Sequence, residues 1–285
     1  MCGIYGYLTL SQQHPVTAYA EASVDALFHR GPDESGVWQG PGIFLGMRRL
    51  SIIDLAEGQQ PIWNEDERCC IIYNGELYNY LDLYPQLVAA GHHFRTHSDT
   101  EVILHAYEEW GIDCLRHLNG MYAFAIWDSR QNRLLLARDR IGIKPLYYYQ
   151  DAERLIFASE IKAILADPTV QRQLNPQGLA NFLAFGHAVA PVTMYQGIQK
   201  LLPGHYMVAK EDVVTIQEYW DVGDEPQPQP VEGMTEEAYA VQIVTLLSDA
   251  VRRQMIADVP VGAFLSGGVD SSSVVALMVS QSQRR

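Results

Sequence analysis

Positive charge is scarce in this chain: 20 Lys plus Arg stand against 34 Asp plus Glu in 285 residues, a formal net charge of −14. That balance repels phosphate backbones and anionic headgroups, so no nucleic acid and no membrane is expected as a main partner. Long apolar runs are missing too. None approaches the roughly 20 residues of a membrane span, and no basic segment followed by an apolar core opens the sequence, so cytoplasmic residence is the expectation. Cysteine is limited to Cys2, Cys69, Cys70 and Cys114. Neighbours in a strand point to opposite faces, so the Cys69–Cys70 pair suits neither a disulfide nor a metal clamp, and Cys69, Cys70 and Cys114 read as reduced strand or core residues. His92, His93 and His97 lack the helical H-x3-H register and bring no acidic or cysteine set with them. They read as packing or solvent-facing residues, with no metal site expected.

What is present favours small-molecule chemistry in a globular protein, with 48% hydrophobic and 10% aromatic residues for its cores. β-type runs occur at GIYGYLTL (3–10), GIFLGMRRL, RCCIIYNG, YAFAIWD, RLLLARD, PLYYY and RLIFAS. Helical patterns fall at 16–30, 80–90, 99–110 and 159–166, the third opened by a capping box of Ser98 and Glu101. The mixture predicts layered α+β packing. At 221–234 the text turns into DVGDEPQPQPVEGM, an extended proline-rich spacer, and the expected division is a first domain at 2–218, a linker at 219–234 and a second domain beginning at 235.

Five stretches bear on chemistry. Cys2 directly follows Met1. Once Met1 is removed, Cys2 carries both a thiol and a free amine, whose ordinary pKa of about 7.7–8.0 suits it to take the thiol proton. IIYNGELYN (71–79) allows two readings: an Asn-Gly hairpin turn, or Asn74 and Gly75 as oxyanion donors. In MRRLSIID (47–54), Arg48 and Arg49 face opposite ways at strand period, so at most one can fork onto a substrate carboxylate. In THSDTEVI (96–103), Ser98 and Asp99 are good helix caps, and an aspartate there can also hold an ammonium. Finally, VGAFLSGGVDSSSVVALMV (261–279) reads as an apolar strand, a glycine turn and a helix, the layout that aims backbone N–H groups at phosphate. The lysine of a Walker loop is absent.

MCGIYG, HRGPDESG, RLSIID, YNGELYN, SDTEV, GMYAFAIWD, RDRIGIKPLYY and FLSGGVDSS together resemble the glutamine-dependent asparagine synthetases, in order and spacing over essentially the whole chain. The resemblance implies an αββα N-terminal-nucleophile glutaminase followed by the start of an α/β ATP-pyrophosphatase-type domain that makes β-aspartyl-AMP. By the same resemblance, Cys2 is the nucleophile, Asn74 and Gly75 the oxyanion hole, Arg49 the carboxylate clamp, Glu76 and Asp99 the ligands of the glutamine α-amino group, and Arg30 a supporting residue. Leu265, Ser266, Gly267, Gly268, Asp270 and Ser271 are implied around ATP with Mg²⁺, and glutamine, aspartate and ATP as substrates. Homodimerisation is left open. Such enzymes continue well past the phosphate loop, so 235–285 is expected to be a truncated start and the glutaminase the complete half. Glutamine phosphoribosyl-pyrophosphate amidotransferase and glucosamine-6-phosphate synthase start similarly but lack SGGVDSS. Two alternatives remain: an amide-forming relative using another carboxylate, and a non-catalytic glutamine-binding module. Intact-mass measurement of the purified protein should show loss of Met1; retention of Met1 would leave Cys2 without its amine.

Overall fold

The computed structural model describes residues 1–10, 18–224 and 233–282. They form two units, Met1–Asp221 and Val222–Arg285. Residues 225–232, within the expected linker, lie outside the described residues.

The first unit contains two six-stranded antiparallel sheets. One is built from β1 (Gly3–Thr9), β2 (Glu34–Gly40), β3 (Ile43–Arg49), β8 (Tyr147–Gln150), β9 (Arg154–Ala158) and β10 (Ile198–Lys200), in the order β10-β8-β9-β1-β3-β2. The other is built from β4 (Ile62–Trp63), β5 (Cys69–Leu77), β6 (Gly120–Asp128), β7 (Arg133–Arg138), β11 (His205–Lys210) and β12 (Val213–Glu218), in the order β12-β11-β7-β6-β5-β4. Its helices are α1 (Ala20–Asp25), α2 (Tyr80–Ala90), α3 (Asp99–Trp110), α4 (Cys114–His117), α5 (Ile161–Ile164) and α6 (Pro176–Phe185).

Side-chain alternation along the strands separates three cores. Ile4, Ile43, Leu45, Cys70, Ile72, Ala125, Leu136 and Phe157 fill the space between the sheets. Their neighbours point outward: Tyr5, Tyr7 and Phe44 pack with Val24 of α1 and Ile164 of α5, while Cys69, Ile71 and Tyr73 pack with Leu83 of α2 and Ile103 of α3. The result is the four-layer αββα arrangement expected from the sequence. Each fully buried Ile, Leu or Phe contributes roughly 1.5–3 kcal/mol of transfer free energy to it. All four cysteines are free thiols, and Cys69 and Cys70 do face opposite cores.

Several expectations are corrected. Of the helix expected over 16–30, residues 16–17 lie outside the described residues, and the rest is α1 followed by a 3₁₀ turn at Phe28–Arg30, because Leu27 N–H and Arg30 N–H bond back only three residues, to Val24 and Leu27 carbonyls. The segment 159–166 is helical only over Ile161–Ile164, since the Glu160 side chain bonds His29 and Arg30 instead of capping the turn, and Pro168 follows shortly. At α3 only half of the capping box forms: Ser98 Oγ accepts the Thr100 N–H at 3.2 Å. Glu101 turns back further, accepting the N–H groups of Arg95 and Thr96.

In the second unit, α7 (Glu236–Gln254) is capped by Thr235 and ends on Arg252 and Arg253, and α8 (Val269–Gln281) follows. The strand expected at 261–265 is not formed, and Phe264 and Leu265 are exposed. A strand exists only by pairing, and no second strand is found among the described residues of this unit.

β1 is held in the middle of its sheet by β3 and β9. At its start, Ile4 N–H donates to the buried Ser159 Oγ at 3.0 Å, while Ser159 N–H donates to the Ile4 carbonyl at 2.9 Å. Ser159→Ala leaves the Ile4 N–H buried without an acceptor and should cost about 1–3 kcal/mol, read as a lower urea midpoint at unchanged m.

Candidate active site

Residue 2 sits where β1 enters the sheet, and its side chain packs against the core between the two sheets. Arg30 Nε donates to the Cys2 carbonyl at 2.8 Å, the Cys2 thiol donates to the Leu50 carbonyl at 3.6 Å, and Gly3 registers with Arg48 on β3. Burial pushes the Cys2 thiol above its ordinary value, outweighing the Leu50 contact and the nearby cations. The thiol therefore stays protonated near neutrality and needs a base before it can act as a nucleophile. Met1 is exposed, and burial lowers its terminal amine below the usual range.

Strand β5 supplies the opposite wall. Asn74 and Gly75 lie inside this strand, paired with Ala123 and Tyr122 of β6, so the hairpin-turn reading is excluded. The period of two that puts Cys70 and Ile72 between the sheets puts Asn74 and Glu76 on that same face. The Asn74 side chain is buried, and its Nδ2 has no hydrogen-bond partner among the described residues. A buried amide donor of this kind is costly unless something accepts from it. At Gly75 a Cβ would come within 2.3 Å of the Met121 carbonyl oxygen, so only glycine fits.

One cavity is lined by Cys2, Arg49, Gln60, Gly75, Glu76 and Asp99, which come from segments far apart in the chain. Arg49 closes one end. Its guanidinium is buried and held by Glu34 Oε2 at 2.9 Å and by the carbonyls of Ile53 and Asp54 at 2.8 and 2.7 Å. Arg48 turns away, to Asp25 and the Phe28 ring. Asp99 is fixed at the opening of α3, where its Oδ2 accepts the Leu77 N–H at 2.8 Å and the Tyr73 hydroxyl at 3.2 Å. Burial raises Asp99 to about 6 despite these bonds. Burial, together with the charge of Asp99, raises Glu76 to about 8. Two carboxyls facing one buried cavity resist ionising together, and a cation between them removes that resistance.

Residues 1–220 match the family model for the glutamine amidotransferase domain. The chain belongs to that family. Residues 242–285 also match the asparagine synthase model. Asparagine synthetase (glutamine-hydrolyzing) 3 of Bacillus subtilis is 40% identical, covering 97% of this chain and 45% of its own length. The second such synthetase of that organism is 38% identical over 96% of this chain and 38% of its own. The amidotransferase chain thus spans less than half the length of these relatives. Its fold is shared with glutamine phosphoribosylpyrophosphate amidotransferase from B. subtilis, at a TM-score of 0.54 and 22% identity over 77% of this chain and 49% of that one.

Beside the cavity stand residues to which the sequence analysis assigned no role. Lys144, inside RDRIGIKPLYY, is buried; burial lowers its pKa, and the charges of Glu76 and Cys2 oppose that shift. Its loop is set by Arg138, whose guanidinium donates to the carbonyls of Lys144, Gly142 and Leu201. Gln60 ties β5 to α3, accepting the Tyr73 N–H at 2.7 Å and donating to Thr100 Oγ1 at 3.3 Å. Arg30, given a supporting role by the resemblance, bonds the Cys2 carbonyl and, at 2.9 Å, the Glu160 carboxylate. His92 does not join His93 and His97; the fold brings it beside His105, Glu65 and Glu108.

In the second unit, Leu265 to Gly268 lead into α8. Gly267 has φ +83°, a conformation that favours glycine, and the N-cap Gly268 leaves the helix without a side-chain cap. Ser266 Oγ lies 2.9 Å from Ser271 Oγ, and Asp270 is in the first turn. Uncapped N–H groups at an exposed helix start suit an anion.

The raised Glu76 carboxyl has a consequence for stability. Between about 4.5 and about 8 the folded protein keeps a proton that the unfolded chain releases, so stability from this group falls as pH rises through that window. Glu76→Gln should lose less of its urea midpoint between about pH 5 and about pH 8 than the parent. Equal losses would place the proton elsewhere.

Proposed function

We propose that this chain is the glutamine-hydrolysing part of an asparagine synthetase, in which Cys2 releases ammonia from glutamine for amidation of activated aspartate. The observation that carries the reading is the single cavity shared by Cys2, Arg49, Gly75, Glu76 and Asp99. Free glutamine has a carboxylate and an ammonium at one end and an amide at the other. Arg49 would take the carboxylate, and Glu76 with Asp99 the ammonium, which supplies the missing cation between two raised carboxyls. The side-chain amide then extends toward Cys2.

With Met1 removed, the amine of Cys2 takes the thiol proton and the sulfur attacks the amide carbon. The developing oxyanion is met by Asn74 Nδ2, an otherwise unpartnered donor, and by the Gly75 N–H. The protonated amine returns its proton to the leaving nitrogen, and ammonia departs from a γ-glutamyl thioester that water hydrolyses to glutamate. The extent of this unit, 2–218, and its separation by a spacer from a synthetase part beginning at 235 belong to the same reading.

The relatives' names and the 242–285 match support ATP as the activating substrate. The residues fit such a group: Ser266, Gly267, Gly268 and Ser271 with the uncapped α8 start would hold phosphate, Leu265 would lie near the nucleotide, and Asp270 would face the Mg²⁺ that accompanies it. When bound, ATP would supply an adenylate leaving group on the aspartate β-carboxylate. The acceptor pocket would be formed by the further length that the relatives possess.

Glutamate release from glutamine tests the reading. Cys2→Ala should abolish it with folding retained. Arg49→Lys, which replaces a planar fork with a point charge, should raise KM for glutamine about tenfold, equivalent to about 1.4 kcal/mol. Because Glu76 must ionise to hold the ammonium, KM should fall as pH rises from about 6 to about 8. Full activity in Cys2→Ala would sink the assignment.

A further inference from the structure

We propose that Glu65, His92, His105 and Glu108 form a divalent transition-metal site of the zinc class, independent of the glutamine cavity. One ligand atom from each of the four lies within 4.8 Å of the other three. His105 Nδ1 is 3.0 Å from Glu108 Oε2 and 3.9 Å from Glu65 Oε2, and His92 Nδ1 is 4.0 Å from Glu108 Oε2. Around a tetrahedral ion with bonds of about 2.0–2.2 Å, donors stand about 3.4 Å apart, so closure needs movements of a few tenths of an ångström to about 1 Å.

The second ring nitrogen or oxygen of every member is already directed elsewhere. His92 Nε2 meets Glu109 Oε2 at 3.3 Å. His105 Nε2 faces Glu101 Oε1 at 3.6 Å. Glu65 Oε1 accepts the His93 N–H at 2.7 Å. Glu108 Oε1 accepts from Asn64 Nδ2 at 2.5 Å and Arg130 Nη2 at 2.7 Å. Carboxylates behind both imidazoles are the outer-shell pattern that fixes a ligating histidine's tautomer and raises its basicity. His105 is wholly buried, and its Nε2 has no hydrogen bond among the described residues. A metal on Nδ1 would fix the proton on Nε2, opposite the Glu101 carboxylate. Two imidazoles and two carboxylates are a borderline donor set, suited to Zn²⁺ and its neighbours rather than to Mg²⁺ or Ca²⁺.

The site would join three segments that the sheets leave separate: the turn between β4 and β5, the loop after α2, and helix α3. Glu101, behind His105, also holds the Arg95 and Thr96 N–H groups, and Thr96 Oγ1 accepts from Ser98 N–H at 3.1 Å. Metal binding would therefore brace the loop leading into Asp99.

The test is metal content of the purified full chain after Zn²⁺ loading and desalting, in a Cys2→Ala background so that the reactive thiol is not the ligand. One zinc per chain, a Zn²⁺-dependent rise in Tm, and tetrahedral visible absorption on Co²⁺ substitution are expected. His92→Gln and Glu65→Gln, at incompletely buried positions, should each weaken Zn²⁺ at least about tenfold and remove the Tm rise. The adjacent exposed His93→Gln should bind as the parent. No stoichiometric zinc in the parent, with His105 simply protonated between Glu101 and Glu108, would overturn the proposal. Undiminished zinc in both ligand variants would do so as well.

Discussion

The constraint from which the rest follows is that residue 2 must be brought to a fixed place at the edge of a buried core. A chain terminus has few backbone bonds to hold it and frays unless it is tied down. Here β1 is placed centrally, between β3 and β9, and the reciprocal Ile4–Ser159 bonds and the Arg30–Cys2 bond carry the restraint to the first residues. A sandwich of two sheets is suited to this, because both faces of β1 are buried and its register with β3 cannot slip without turning Tyr5 and Tyr7 into the wrong core.

The same sandwich creates the electrostatic character of the cavity. Removing Glu76 and Asp99 from water raises both carboxyls, and the deep placement of Arg49 and Lys144 puts cations nearby without cancelling that shift. A cavity of this character suits the zwitterion proposed for it. The Asn74 amide is likewise desolvated before anything binds, which suits the oxyanion role proposed for it.

Local signals were good guides where burial agreed with them. The alternating runs from GIYGYLTL to RLIFAS are all strands, and 80–90 and 99–110 are helices. They misled where turn chemistry and tertiary pairing diverged. Asn74-Gly75 carries the strongest short turn signal and is a strand interior. The hairpin between β11 and β12 instead turns on Glu211 and Asp212, both at positive φ, and neither is the asparagine or glycine that usually marks such a turn. Helix α6 was not expected, although Asn175-Pro176 opens it, with the Asn175 side chain accepting from Gln177 and Gly178 N–H groups. That helix shows large apolar side chains to solvent at Phe182, Leu183 and Phe185, so its periodicity announces no buried face.

The sequence by itself determined the family and the nucleophile candidate, and its strand period limited Arg48 and Arg49 to one clamp between them, because these depend on residue order and on local geometry. Alternation also announced layered α+β packing, and the resemblance supplied its αββα order. Only the tertiary structure decided that Glu76 and Asp99 share one desolvated cavity, that Lys144 and Gln60 stand beside it, and that His92 finds His105 and two glutamates rather than His93 and His97. The physical reason is sequence separation. Those groups meet through sheet pairing and helix packing between distant segments, and the cost of desolvating a charge depends on everything packed around it, not on its neighbours in the chain.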